Sequence, residues 1–187
     1  MTEFTFSQDD KRIILALSPS KTYRNNTLQM IREIRKENLQ IIVICVNQPA
    51  AFLMDFYQRN GIDTKGIFFI DAITQFATGM VTECPGNCKF IAKPNDLTAM
   101  GIAVTMTLKK FEQQKAVIFL DSVNAMLIHS SSADLSKFIH FVISKLRIMN
   151  IAGVLLAVEK GLDPVLLSQL TTFADELVEF PEEKPDT

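Results

Sequence analysis

Glycine is scarce in this chain of 187 residues, with seven in all and none between Asp10 and Gly61. A backbone turn that must close tightly around an anion has few residues to draw on there. Three cysteines are too few and an odd number, which excludes a secreted disulfide framework and suits a reducing compartment. The longest unbroken apolar stretch, Ile151 to Val158, is under half of the roughly 20 residues a bilayer span needs. Met1-Thr2-Glu3 lacks the basic, apolar start of an export signal, so the expectation is a cytoplasmic protein with no membrane partner. Basic runs stop at pairs such as Lys109-Lys110, and 19 basic against 21 acidic residues leave a net charge of −2. That balance excludes the electrostatic footprint of a dedicated nucleic-acid binder, and no specific nucleic-acid partner is expected.

What is present is a globular composition, 48% apolar and 21% charged, enough for one continuous core. The length fits one domain, read here as residues 1–180, followed by a solvated acidic tail over 181–187. Short apolar runs alternate with amphipathic stretches, the mark of crossover units feeding a mostly parallel sheet. Ile13–Leu17, Ile41–Val46, Ile67–Ile70, Ala116–Leu120 and Ile151–Val158 are apolar throughout, as strands covered on both faces are, and Leu177–Phe180 makes a last strand. Leu97, Met100, Val104, Leu108 and Phe111 step by three or four, as do Leu135, Phe138, Val142, Leu146 and Met149. Each set is one apolar stripe on a helix. Asn26–Lys36 and Ala50–Arg59 are shorter helices of the same kind. Asp96, the serine triplet before Ala133, and Asp163 ahead of Pro164 read as helix N-caps.

Asp71 to Lys93 breaks the pattern with Gly79, Pro85, Gly86 and the pair Cys84 and Cys88, and reads as an irregular excursion from the sheet. Two cysteines alone fall short of the four ligands of a structural zinc site, which leaves a shared metal or a redox pair open. Cys45, inside a buried strand, reads as core, and His129 and His140 stand alone without the context of a triad or a metal site.

The order of motifs resembles the KaiC-like group of RecA-fold ATPases, common in archaea and used there in signalling, motility and DNA repair. The resemblance is carried by Val46-Asn47-Gln48-Pro49, by Asn60-Gly61-Ile62-Asp63 with Ile67-Phe68-Phe69-Ile70-Asp71, by Val117-Ile118-Phe119-Leu120-Asp121-Ser122, and by Phe173-Ala174-Asp175. It spans nearly the whole chain. It implies an α/β, three-layer RecA-like fold, with helices on both faces of the sheet and a nucleotide cleft at the carboxyl ends of the strands.

In that fold the turn after the first strand should read G-x-x-x-x-G-K-[ST], because glycines let backbone N–H groups converge on phosphate while the lysine neutralises charge. Here it reads Ser18-Pro19-Ser20-Lys21-Thr22-Tyr23-Arg24-Asn25. Measured from the strand, Ser18 and Tyr23 fall on the glycine positions and Arg24-Asn25 on Lys-Thr. Keeping Lys21-Thr22 in place puts the first glycine position on Leu15, inside the strand, and the second on Ser20. Pro19 lacks an N–H in either frame. Two readings stand open: a remodelled anion site of Ser18, Ser20, Lys21, Thr22, Arg24 and Asn25 at a helix N-terminus, or an ordinary strand-to-helix turn.

The resemblance also implies two acidic residues just after the second strand, to orient or deprotonate the attacking water. Asn47 and Gln48 stand there, and amides take no proton from water at neutral pH. They serve equally as a polar turn capping the next helix. Asp121 matches the position that holds Mg²⁺ in the family, with a helix-capping carboxylate as the alternative. The expectation is a RecA-fold protein that has lost ATP hydrolysis and acts as a regulatory or interaction module, with no cofactor. The alternative is an ATP-binding protein or weak ATPase with a remodelled phosphate loop, which would take ATP with Mg²⁺. Its expected partners are further copies of itself or an active RecA-fold relative.

Overall fold

The computed structural model describes residues 4–80 and 86–182. Met1-Thr2-Glu3, Cys84, Pro85 and the tail from 183 onward lie outside the described residues.

Seven strands form one sheet: β1 (Ile13–Ser18), β2 (Gln40–Cys45), β3 (Ile67–Asp71), β4 (Cys88–Phe90), β5 (Ala116–Asp121), β6 (Ala152–Val158) and β7 (Glu176–Glu179). Their order is β4-β3-β2-β5-β6-β1-β7, and every pairing is parallel. The chain first steps toward the β4 edge and then, after β4, turns back toward β7. Right-handed crossovers therefore place α1 (Tyr23–Lys36) and α2 (Ala50–Arg59) on one face, and α4 (Leu97–Lys110), α6 (Ser132–Met149) and α7 (Pro164–Phe173) on the other. This is the three-layer, RecA-like α/β arrangement. β1 to β3, β5 and β6 are buried almost end to end, which is why they read as unbroken apolar runs.

Three helices begin as their sequences suggest. Asp96 accepts from the Ala99 N–H at 2.8 Å, Ser131 from Asp134 at 3.1 Å, and Asp163 from Leu166 at 2.9 Å. Each satisfies a donor that the helix itself leaves open. Helix α1 starts at Tyr23, three residues ahead of the expected Asn26, because the Asn26 N–H already bonds the Thr22 carbonyl at 2.9 Å.

The excursion after β3 is more regular than its composition implies. It contains the short helix α3 (Thr74–Thr78) and the edge strand β4, whose Cys88 pairs in register with Phe69. A strand of three half-exposed or exposed residues carries too little hydrophobic pattern to be read from sequence. Cys88 is disulfide-bonded. Helix α5 (Val123–Leu127), also a single short turn, begins directly after β5. No helix among the described residues is long and apolar enough to cross a membrane.

Candidate functional site

β1 and β2 send their connections to one face of the sheet, while β5 and β6 send theirs to the other. A crevice opens at the carboxyl ends of these four strands, as it does wherever neighbouring crossovers diverge in an open α/β sheet. It has a volume of about 460 Å³, within the range of roughly 300–1,000 Å³ common for small-ligand sites. Ser20, Lys21, Tyr23, Arg24, Asn47 and Ser122 are among the residues that line it.

The turn from β1 into α1 is closed by its own side chains. Ser18 is fully buried, and the Asn26 Nδ2 donates to its Oγ at 2.8 Å and to the Thr22 Oγ1 at 3.0 Å. The Ser18 hydroxyl in turn donates to the Pro19 carbonyl at 3.1 Å. Ser18 and Thr22 thus point into the protein and hold the turn together, instead of facing the crevice. Ser20, Lys21, Arg24 and Asn25 are exposed, and neither the Lys21 nor the Arg24 side chain makes a hydrogen bond or ion pair among the described residues. Thr22 occupies the N-cap of α1 without a side-chain cap bond.

Strand register places Asp71, Cys45 and Asp121 side by side at the ends of β3, β2 and β5. Their side chains share the α1–α2 face, with Tyr57 of α2 and Tyr23 of α1 close enough to share their electrostatics. Asp121 is buried, and the Tyr23 hydroxyl donates to its Oδ1. Burial lifts the Asp121 carboxyl to about 6, against a smaller downward pull from that hydrogen bond. The Tyr23 phenol moves up as well, through burial and the neighbouring carboxylate. Burial also pushes the Cys45 thiol well above its usual value, and Asp71 and Asp121 add to the effect. The buried Tyr57 hydroxyl has no hydrogen-bond partner among the described residues.

Two capping expectations give way to other residues. The Asp121–Ser122 peptide is cis, and it is Ser122, not Asp121, that caps the following helix, accepting from the Ala125 N–H at 3.4 Å. Asn47-Gln48-Pro49 supplies no side-chain cap to α2. The carboxylate of Asp71 does so from the neighbouring strand, accepting from the Ala50 N–H at 2.7 Å. Its two oxygens also accept from the Ile73 N–H at 2.8 Å, the Thr74 N–H at 2.9 Å and the Thr74 hydroxyl at 2.6 Å. In the sequence Asp71 stands only as the last residue of the motif Ile67-Phe68-Phe69-Ile70-Asp71, with nothing to mark its capping role. Asn47 lines the crevice and is exposed, and Gln48 is half-buried beside it.

Asn124, on α5, clasps the far wall of the crevice: its side chain donates to the Val158 carbonyl at 3.0 Å and accepts from the Val158 N–H at 2.7 Å. An added Cβ at Gly161 would sit 2.4 Å from that same amide, so a side chain there would have to push the Asn124 amide aside. The two histidines pack against phenylalanines, His129 on Phe76 and His140 on Phe173. No group of three or more potential metal ligands occurs among the described residues.

No family model matches the chain, and no curated protein matches it by sequence. In structure it is similar to a KaiC-like protein of the hyperthermophilic archaeon Pyrococcus horikoshii, with a TM-score of 0.64. The match covers 95% of this chain and 75% of that one, at 11% identity. At that identity the likeness is one of fold.

Proposed function

We propose that this chain is a RecA-fold protein without ATP hydrolysis that acts as a regulatory or interaction module, in signalling, by associating with further copies of itself or with an active RecA-fold relative. The observation that carries the reading is the hydrogen bond from Tyr23 to Asp121. It occupies the buried carboxylate at the end of β5, the position that the resemblance assigns to holding Mg²⁺ on phosphates.

The other residues present do not fit Mg·ATP either. The turn has no glycine to bring N–H groups together, Pro19 has no N–H to offer, and the Ser18 and Thr22 hydroxyls are committed to Asn26 and the Pro19 carbonyl. Asn47 and Gln48 offer no base to an attacking water.

The second reading, an ATP-binding protein or weak ATPase with a remodelled loop, is favoured by the size of the crevice and by Lys21 and Arg24 on its rim. Thermal unfolding with and without millimolar Mg·ATP separates the two. A ligand at a hundred times its Kd adds about 2.7 kcal/mol of stability, several degrees for a domain of this size. We expect no shift and no phosphate release. A shift abolished by Lys21→Ala or Arg24→Ala, or turnover abolished by Asp121→Ala, would replace the first reading with the second.

A further inference from the structure

Away from the crevice, α4 and α6 leave an open groove of about 860 Å³ between them. Both helices lead from the carboxyl end of the sheet toward its amino end, so they run in the same direction. Their close approach rests on Gly101, where an added Cβ would meet the Phe141 ring at 3.1 Å. Ile102 and Met106 on α4 and Phe141 on α6 face the groove while 41–59% exposed, and Ile148, 81% exposed, continues the α6 row by helical spacing. Exposed apolar residues scattered singly need no explanation, but a contiguous stripe along a groove does.

The charges along this face are polarised. Asp96 and Asp134 lie at the amino ends of α4 and α6, with Lys137 one turn further along. Lys109, in the last turn of α4, and Lys145, one turn before the end of α6, extend the same two rows, and Lys145 sits over the Phe141 ring at 5.7 Å. A foreign helix bearing one sign of charge would complement one end and be repelled by the other. A second copy of this chain turned end for end sets Asp96 and Asp134 against the basic ends of the same helices, with Lys137 left unmatched by the pairing.

We infer that this groove is the contact face of a homodimer, closed by a two-fold axis that lies in the interface and crosses the helices at right angles. Such an axis sets α4 antiparallel to the partner copy's α4 and α6 antiparallel to its α6. Asp96 then faces Lys109 of the other copy and Asp134 faces Lys145, each pair occurring twice. The axis crosses α4 near Ile102, midway between Asp96 and Lys109, and α6 near Ile139, midway between Asp134 and Lys145, so Ile102 and Phe141 come close to their counterparts while Ile148 falls opposite Ser131. The inference rests on the reading of the chain as an association module and names the partner and the surface.

The test is light scattering coupled to gel filtration, from micromolar to hundreds of micromolar protein. The samples are the full chain, Met106→Glu, Lys145→Glu and the exchange Asp134→Lys with Lys145→Asp, with circular dichroism melts showing that each variant folds. The expected results are a dimer for the parent chain, a monomer for Met106→Glu, and a dimer Kd raised about tenfold or more by Lys145→Glu, because symmetry makes each change act twice. The exchange should restore the dimer. Ile102→Cys, next to the axis, should form a cross-linked dimer under mild oxidant. A parent chain that stays monomeric throughout would overturn the inference, as would a dimer that withstands Met106→Glu and gives no Ile102→Cys cross-link. ATP turnover measured on the same samples keeps the two questions apart: turnover would defeat the hydrolysis-dead reading and leave the dimer standing, whereas a dimer through another face would do the reverse.

Discussion

The Tyr23 hydroxyl, in the first turn of α1, donates to the carboxylate of Asp121 at the end of β5, tying the first helix of the chain to the centre of the sheet. Because the two residues are 98 positions apart, the contact exists only once β1 and β5 are two strands apart in the same sheet.

Removing this donor should cost stability. Tyr23→Phe keeps the ring and leaves Asp121 buried without its phenolic partner, a loss of about 1–3 kcal/mol. The Asp121 carboxyl should also titrate above its present value of about 6, because the hydrogen bond is what pulls it down. Urea unfolding of both proteins at pH 8 checks the first point. An unchanged midpoint would mean that the bond contributes nothing.

Asp121→Asn isolates the titration. The folded carboxyl is raised from 3.8 to about 6, so the folded state binds more protons than the unfolded state between those values. Its contribution is fully present below about pH 4, is lost as pH rises to about 6, and stays lost above. The variant should therefore match the parent near pH 4 and exceed it by on the order of 1–3 kcal/mol at pH 8. Asp10 and Asp175, held low against the opposing effect of burial by Arg12 and by Ile13 and Arg147, act in the opposite sense in both proteins. The difference between the two unfolding curves cancels them. A variant less stable at pH 8 than at pH 4, relative to the parent, would contradict the assignment.

Asp71→Ala should be among the most damaging single changes near the crevice. It strips an acceptor from the Ala50, Ile73 and Thr74 N–H groups and from the Thr74 hydroxyl, beside a fully buried site. With about 1–3 kcal/mol for each buried donor left open, a loss of at least about 3 kcal/mol is expected. Thr74→Val, which removes one of the four bonds, should cost far less. Guanidinium unfolding of the pair gives the comparison.

Cys45 should be inert in the folded protein. It is fully buried, and burial together with Asp71 and Asp121 keeps its thiol protonated. Iodoacetamide at pH 8 should leave it unmodified in buffer and label it in urea, as read by mass spectrometry of the peptide that contains it. Labelling at equal rates in both conditions would place the thiol at the surface.

The core was legible in residues such as Ile41 to Cys45 and Val117 to Leu120, because strands buried on both faces need apolar side chains at every position. Helix α6 was legible for a related reason: one stripe from Leu135 to Met149 at helical spacing, started by a serine. β4 and α5 escaped because elements of three and five residues hold too little pattern. In the crevice, the missing glycines and the amides at 47 and 48 were visible as residue types. The pairing of Tyr23 with Asp121, and of Asp71 with the start of α2, was not.

The sequence alone therefore determined the class of fold, the layers and the chemistry absent from the turn after β1, since burial pattern and residue type are local properties. Only the tertiary structure decided which side chains meet. Parallel strands are joined by long crossovers, so Asp71, Cys45 and Asp121 become neighbours through sheet order and register, and no local spacing encodes either.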